Sequence, residues 1–233
     1  DELPDSELLM EQLDIIKSMG QEQNIRLSLH PDQFNVLSSP HEHVVLNTIR
    51  ELTYQGMVAE RIGADVINIH GGGMYGDKRS ALKRLIKNFA RLPENVQRRL
   101  TLENDDRSYT PEDLLPVCNE LQIPFDYDIH HHRCLPDTLS IKEVTEMCLQ
   151  SWKSMGREPY FHISSPRNGY ESKKPQPHAD YISFADFPAY WLKCTEDIDI
   201  TIDVEAKAKE LAVLRLLDNL AQSPPTRMEV AAP

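Results

Sequence analysis

The chain has 233 residues, which is enough for one large domain or two small ones with a sizeable core. Its 40% hydrophobic and 27% charged residues are typical of a globular protein and exclude a mostly disordered one. The 25 basic and 37 acidic residues give a net charge of −12, which excludes a surface that is basic throughout.

Six short strand-like runs alternate with helical patterns along the chain, which predicts a parallel sheet with crossover helices. The helical patterns lie at 6–19, Glu42–Ile62, 81–92 and 206–220, with two further helices that begin after Thr110 and Ser140. The strand-like runs lie at 25–30, Val66–His70, Leu100–Glu103, Phe125–Asp128, 160–164 and 200–205. No apolar run approaches the ~18–20 residues of a membrane span.

The spacing of the strands favours a (β/α)8 barrel of the TIM type, whose units average about 30 residues. Six such units and a leading helix fit the chain, so we expect a barrel that lacks its first two βα units here. We expect one domain over residues 1–222 and a flexible tail at 223–233. The alternative is a doubly wound open sheet, but its strands should be continuously apolar, and these runs are not.

Each of the six runs alternates apolar and polar residues, which places the polar residues on one face of the strand. In a TIM barrel the active site lies at the carboxyl ends of the strands, so the last polar residue of each run should converge there. These residues are His30, His70, Glu103, Asp128, His162 and Glu205.

Six clustered imidazoles and carboxylates are costly to bury without a partner, and a metal ion is the usual partner. His131 and His178 follow two of the strand ends and bring the set of candidate ligands to eight. This set predicts two or three divalent ions, with Mn, Zn or Fe favoured over Ca or Mg. His130 and His132 lie beside His131 in a predicted strand-end loop, where we expect solvent-facing or structural roles.

Six segments occur in order at the predicted strand ends: His30-Pro31-Asp32-Gln33-Phe34, Asn68-Ile69-His70-Gly71-Gly72-Gly73, Leu102-Glu103-Asn104-Asp105-Asp106, Asp128-Ile129-His130-His131-His132, His162-Ile163-Ser164-Ser165-Pro166-Arg167 and Asp203-Val204-Glu205-Ala206-Lys207. Together these segments resemble the UV damage endonucleases, and the resemblance covers positions 1–220. It implies a TIM-barrel fold, a manganese-favouring cluster of up to three ions, and a nick in DNA immediately 5′ to a UV photoproduct or a similar lesion.

The resemblance also implies a role for each ligand. His30 and His70 would hold one ion with Glu103 as a bridge. Glu103, Asp128, His162 and Glu205 would surround a second ion and serve as the catalytic residues. His131 and His178, with a shared carboxylate, would hold the third.

Two positions depart from the family pattern that the resemblance implies. Gln33 and Phe34 fall where the family inserts side chains into the duplex at the lesion, and the family often has Tyr at the position of Phe34. Tyr160 stands where the family commonly has a carboxylated Lys, and a phenol cannot form a carbamate, so the third ion should be bound more weakly or be supported differently.

The reaction expected from this set is metal-assisted hydrolysis of a phosphodiester in damaged double-stranded DNA. Arg167, Lys173 and Lys174 are candidate contacts to DNA phosphates. At the glycines of positions 71–73, the backbone either approaches a phosphate closely or forms a structural turn. We expect a monomer without a membrane segment, cytoplasmic or nucleoid-associated in a bacterium and nuclear or mitochondrial in a eukaryote.

There are two alternatives to this function. A metal-dependent sugar isomerase or epimerase on the same barrel would use such ligands but would leave the loops at 30–34 and 164–167 unexplained. An incomplete barrel without activity is the second alternative, because an open barrel has unpaired edge strands that favour aggregation.

Overall fold

A computed structural model of the chain describes residues 6–222, so the predicted tail at 223–233 lies outside the described residues. The chain divides into two compact units, Asp1–Leu102 and Glu103–Pro233. The expectation of a single domain over 1–222 stays a prediction.

The first unit combines parallel strands with long amphipathic helices. Ser28 pairs with Val66 and Leu29 with Ile67 in a parallel register, and a buried hydrogen bond of 2.8 Å runs from Thr101 Oγ1 to Asn68 Oδ1. The elements are α1 (Ser6–Glu22), β1 (Ser28–Leu29), α2 (Glu42–Ile62), β2 (Val66–His70), α3 (Lys78–Phe89), α4 (Glu94–Gln97) and β3 (Leu100–Glu103), whose last residue belongs to the second unit.

The second unit repeats the alternation of strand and helix. Its three strands are parallel, and the register sets Asp128 beside His162 and His162 beside Asp203. The elements are α5 (Pro111–Leu121), β4 (Phe125–Asp128), α6 (Ile129–Cys134), α7 (Ile141–Ser154), β5 (Tyr160–Ile163), a 3-10 turn (Phe184–Asp186), α8 (Ala189–Cys194), β6 (Thr201–Val204) and α9 (Glu210–Gln222).

Aromatic side chains form the core of the second unit. The ring of Trp191 lies 4.9 Å from that of Phe161 and 6.2 Å from that of Tyr127, measured between centroids. Trp152 packs behind β4, and its indole N–H donates to the carbonyl of Phe125 over 2.7 Å. Because buried aromatic rings contribute large apolar areas and the indole is also satisfied, this core fixes the direction of β4 and β5.

Several predicted boundaries differ from the structure for local reasons. The first strand is Ser28–Leu29 rather than 25–30, because Ile25 is exposed and Arg26 forms an ion pair with Asp65 instead of extending the strand. Helix α3 begins at Lys78 rather than at 81, since the Asp77 side chain accepts from the amide of Ser80.

The end of the chain and the histidine run need two further corrections. Helix α9 begins at Glu210 rather than at 206, because the backbone of Lys209 is left-handed, with φ 51°. Residues 130–132 lie on helix α6 and not in a loop, since the side chain of Asp128 caps that helix at its first turn. No helix among residues 6–222 is long and apolar enough to span a membrane.

The glycine triplet at 71–73 allows a direct test of packing in the first unit. Gly72 and Gly76 both have φ +82°, but a Cβ on Gly72 would lie 2.7 Å from Ser38 and Val36, whereas a Cβ on Gly76 would meet nothing within 4 Å. A left-handed backbone costs a non-glycine residue about 1–2 kcal/mol, and overpacking costs roughly a further 1–3 kcal/mol.

We therefore expect Gly72→Ala to lower the free energy of unfolding by more than Gly76→Ala does. Urea denaturation followed by circular dichroism measures both. Equal losses would mean that the strained backbone accounts for the whole effect and that the close approach to Ser38 and Val36 does not.

Candidate metal centre

The end of strand β4 and the start of helix α6 share one residue, Asp128, and both carboxylate oxygens of that residue face His131. Oδ1 accepts from the backbone N–H of His131 over 2.8 Å, which caps the helix. Oδ2 lies 3.3 Å from the His131 Nδ1. The cap therefore fixes the carboxylate and the imidazole relative to each other.

Glu103, at the end of β3, is fully buried between two imidazoles. Its Oε1 lies 3.2 Å from His131 Nδ1, and its Oε2 lies 3.7 Å from His162 Nδ1. One carboxylate thus faces two histidines through different oxygens, an arrangement that suits a bridging metal ligand.

Glu205 follows strand β6 and faces two further histidines. Its Oε1 lies 3.3 Å from His162 Nδ1, and its Oε2 lies 3.8 Å from His178 Nδ1. The amide of Glu205 donates to the carbonyl of Ile163 over 3.0 Å, which continues the pairing of β5 and β6 past the strand end. That bond holds the carboxylate beside His162.

The buried carboxylates control the protonation of the histidines in the metal-free chain. Burial lowers the pKa of His131, but the charges of Asp128 and Glu103 outweigh it and raise this pKa to about 10. Burial likewise lowers the pKa of His162, and Asp126 and Glu103 raise it well above the ordinary value. Burial raises the pKa of Glu205, but the hydrogen bond from His162 outweighs this and lowers it to about 2.

These donors fit a divalent cation. Two sets in the second unit have ligand atoms that lie within 4.8 Å of one another: His131, His178 and Glu205 form one, and Asp128, His162 and Glu205 form the other. Asp128 Oδ2 is buried and accepts no hydrogen bond from the described residues. Imidazoles and carboxylates are the ligand types of Mn, Zn and Fe sites, so the six predicted ligands of this unit, Glu103, Asp128, His131, His162, His178 and Glu205, lie together in a set that could hold more than one ion.

Sequence reasoning missed Asp126. This fully buried residue of β4 has its Oδ2 3.4 Å from His162 Nε2, on the ring edge opposite Glu103 and Glu205. A carboxylate at this position orients the imidazole and raises its basicity. Asp126 lies two residues before Asp128, so alternation along the strand places both side chains on the same face. This position could have identified Asp126 from the sequence.

Tyr160, where the family resemblance implies a Lys, lies beside the predicted ligand His162. Its hydroxyl donates to Asp203 Oδ2 over 3.3 Å, and its ring stands edge-on to that of His162 with centroids 5.5 Å apart. The phenol therefore packs against a predicted ligand.

The first unit holds the other two predicted ligands next to each other. The rings of His30 and His70 have centroids 5.4 Å apart. In the loop after His30, Asp32 Oδ1 accepts from the amide of Phe34 over 2.7 Å, and the Phe34 side chain is 76% exposed. Gln33 beside it is exposed as well.

The three predicted phosphate contacts lie on the loop of residues 164–183 in the second unit. Arg167, Lys173 and Lys174 are exposed there and are not among the side chains of the metal cluster. The same loop brings His178 to Glu205, and an antiparallel bridge between Pro166 and His178 closes its base.

Known proteins resemble this chain in sequence and in fold. The profile of the family described as UV-endonuclease UvdE matches residues 5–230. A UV DNA damage endonuclease of Bacillus mycoides (strain KBAB4) is 37% identical over 211 residues, which cover 88% of this chain. The chain spans 65% of the length of that curated relative.

Two solved structures resemble the chain. The crystal structure of SacUVDE has a TM-score of 0.80 at 30% identity, covering 92% of this chain and 71% of that one. Endonuclease IV from Thermus thermophilus has a TM-score of 0.66 at 15% identity, covering 96% of this chain and 84% of that one, and shows the fold alone.

Fold and site together define an α/β protein of the TIM-barrel class with a candidate metal centre at its strand ends, and the predicted fold class is confirmed. The chain belongs to the UV-endonuclease UvdE family.

The raised pKa of His131 predicts a pH-dependent stability for the metal-free chain. Because this pKa rises from 6.5 to about 10 on folding, its contribution is complete below pH 6.5 and disappears as the pH rises to about 10. In chelator, stability should fall more steeply over this window in the wild type than in His131→Asn. Thermal denaturation at several pH values between 6.5 and about 10 measures both slopes. Equal slopes in the wild type and in His131→Asn would contradict the raised pKa of His131.

Proposed function

We propose that the protein is a metal-dependent DNA repair endonuclease that hydrolyses the phosphodiester bond immediately 5′ to UV photoproducts and similar lesions. The observation that carries the proposal is the cluster of buried carboxylates and histidines in the second unit, in a chain of the UV-endonuclease UvdE family. We further propose that it acts as a monomer on damaged double-stranded DNA, in the cytoplasm or at the nucleoid of a bacterium, or in the nucleus or mitochondrion of a eukaryote.

The proposal assigns the eight predicted ligands to divalent ions, with manganese as the favoured metal. Glu103, Asp128, His131, His162, His178 and Glu205 would hold ions in the second unit. The family resemblance adds His30 and His70. Bound divalent ions would supply hydroxide near neutral pH and stabilise the negative charge that develops on the attacked phosphate.

The protein groups keep the site charged and oriented. Glu205, with a pKa of about 2, is ionised at neutral pH. Asp128 is fixed by its helix cap and presents Oδ2 toward the site. Asp126 holds the Nε2 edge of His162, so that Nδ1 faces the two glutamates. Hydrolysis adds a water oxygen to phosphorus and breaks the bond to the 3′ oxygen, which leaves a 3′-hydroxyl and a 5′-phosphate.

In this proposal, the exposed loop of the first unit recognises the lesion. Phe34 offers an aromatic ring to solvent, with a side chain that is 76% exposed, and aromatic rings stack on unpaired bases. Damaged bases are less costly to unstack than normal ones. Gln33 beside it would contact base or backbone, and Arg167, Lys173 and Lys174 would neutralise phosphates.

The alternative functions have less support. A sugar isomerase would use similar ligands, but the chain's family is that of the UV endonucleases. An inactive barrel fragment would gain little stability from metal, so a melting temperature that does not change on addition of Mn²⁺ would favour it.

Glu103→Gln should lower the rate of nicking by at least about 100-fold, because the loss of a ligand costs more than the ~10–100-fold caused by loss of a supporting residue. The assay uses a labelled duplex with one cyclobutane dimer and Mn²⁺, beside the undamaged duplex. Glu120→Gln, on the exposed face of α5, is the matched control and should cut normally. Near-normal cleavage by Glu103→Gln would exclude the assigned role.

Phe34→Ala should weaken discrimination between damaged and undamaged DNA by about 5- to 100-fold, the range that corresponds to one stacked base. Phe34→Tyr keeps the ring and should keep discrimination. Binding to both duplexes is measured by fluorescence anisotropy at fixed salt. If Phe34→Ala weakened binding to both duplexes equally, the side chain would not probe the lesion.

A further inference from the structure

We propose that His130 is a positioning residue that holds His178 in the metal site by fastening the loop of residues 164–183 to helix α6. The inference rests on the proposed function only in taking His178 as a metal ligand. His130 itself binds no ion in this account.

Both ring nitrogens of His130 are engaged by that loop. Nε2 lies 3.0 Å from the carbonyl oxygen of Gln176, and Nδ1 lies 3.1 Å from the hydroxyl of Tyr170. A carbonyl oxygen only accepts, so Nε2 carries the hydrogen, and Nδ1 accepts from the Tyr170 hydroxyl. Neither nitrogen then has a lone pair left for a metal, although His130 lies next to a predicted ligand in sequence.

The contact with Gln176 acts close to His178. Only Pro177 separates these two residues, and its ring restricts the backbone there. On the other side, the Ala179 amide donates to the carbonyl of Ser165 over 2.8 Å. His178 is therefore held between an attachment to helix α6 and an attachment to the residues that follow strand β5.

Helix α6 thereby sets the distance between two predicted ligands. His131, on this helix, and His178, on the loop, have ring centroids 6.2 Å apart. His130 is fully buried, and its ring stands perpendicular to that of His178 with centroids 5.2 Å apart. Metal–ligand distances tolerate about ±0.2 Å, so a loop released from the helix would present His178 poorly.

A second contact between helix and loop supports this interpretation. The guanidinium of Arg133, one turn along α6, lies 5.6 Å from the ring centroid of Tyr170, and its Nη1 donates to the carbonyl of Asp186 over 2.7 Å. Helix α6 thus contacts the loop at Tyr170 and Gln176, and it contacts the 3-10 turn after the loop at Asp186. His130 is the contact nearest to His178.

The test measures Mn²⁺ binding to the metal-free chain by calorimetry, without DNA and without an activity assay. His130→Ala should weaken the site that contains His178 by about 10- to 100-fold, as loss of a supporting residue does. His130→Gln keeps a donor near the position of Nε2 and should restore most of the affinity. Tyr170→Phe removes only the hydroxyl contact and should change affinity less than His130→Ala.

A double-mutant cycle with His178→Ala decides whether His130 acts through His178. The double variant should bind Mn²⁺ no more weakly than His178→Ala, because the positioning residue has nothing left to position. Additive losses, or wild-type affinity in His130→Ala, would overturn the inference. If His130→Ala does not fold, as judged by circular dichroism, the same cycle is run with His130→Phe, which fills the ring position and removes both hydrogen bonds, and wild-type affinity in that variant would overturn the inference.

The proposed function and this inference fail in different ways. A wild-type chain that binds no Mn²⁺ or Zn²⁺ would contradict the metal centre and the inference with it. A wild-type chain that binds metal and loses a site in His178→Ala, but not in His130→Ala, would leave the metal centre standing and remove the role of His130.

Discussion

Three fully buried carboxylates, Glu103, Asp126 and Asp128, lie against the imidazoles of His131 and His162 at the strand ends of the second unit. Burying so many acids is very costly unless cations or protons neutralise them. In the metal-free chain the two histidines carry the protons, which is why the pKa of each is raised. Metal binding must displace those protons, so the arrangement that stabilises the protonated histidines also places ligands for divalent ions.

The local structure of the second unit holds the buried carboxylates and the histidines close together. Asp128 ends a strand and caps the next helix, so no loop separates them, and the first helical turn brings His131 back over the strand end. Helix α6 also contacts the loop of residues 164–183, because His130 forms a hydrogen bond with the carbonyl of Gln176, two residues before His178. A helix cap thus fixes His131, and hydrogen bonds between helix α6 and the long loop hold His178.

Alternation along the strands predicted much of this arrangement. In strands that alternate apolar and polar residues, a shift of one residue in register would turn the polar face outward, so alternation predicts that Asp128 and His162 share the inward face. Helix α6 was missed because six residues give too short a pattern to detect and because its cap is also a predicted ligand. Asp126 was overlooked because strand-end position was the selection rule. The contacts of His130 depend on the long loop of residues 164–183, whose path no periodicity encodes.

The positions of bound divalent ions test the metal centre most directly. Anomalous diffraction from crystals of the Mn²⁺-loaded chain would locate them without any assumption about the substrate. We expect Mn²⁺ peaks beside the second-unit ligands, with at least one peak within coordination distance of Glu103, Asp128 or Glu205. Peaks confined to surface carboxylates, with none at these three residues, would contradict the metal centre and the endonuclease mechanism built on it.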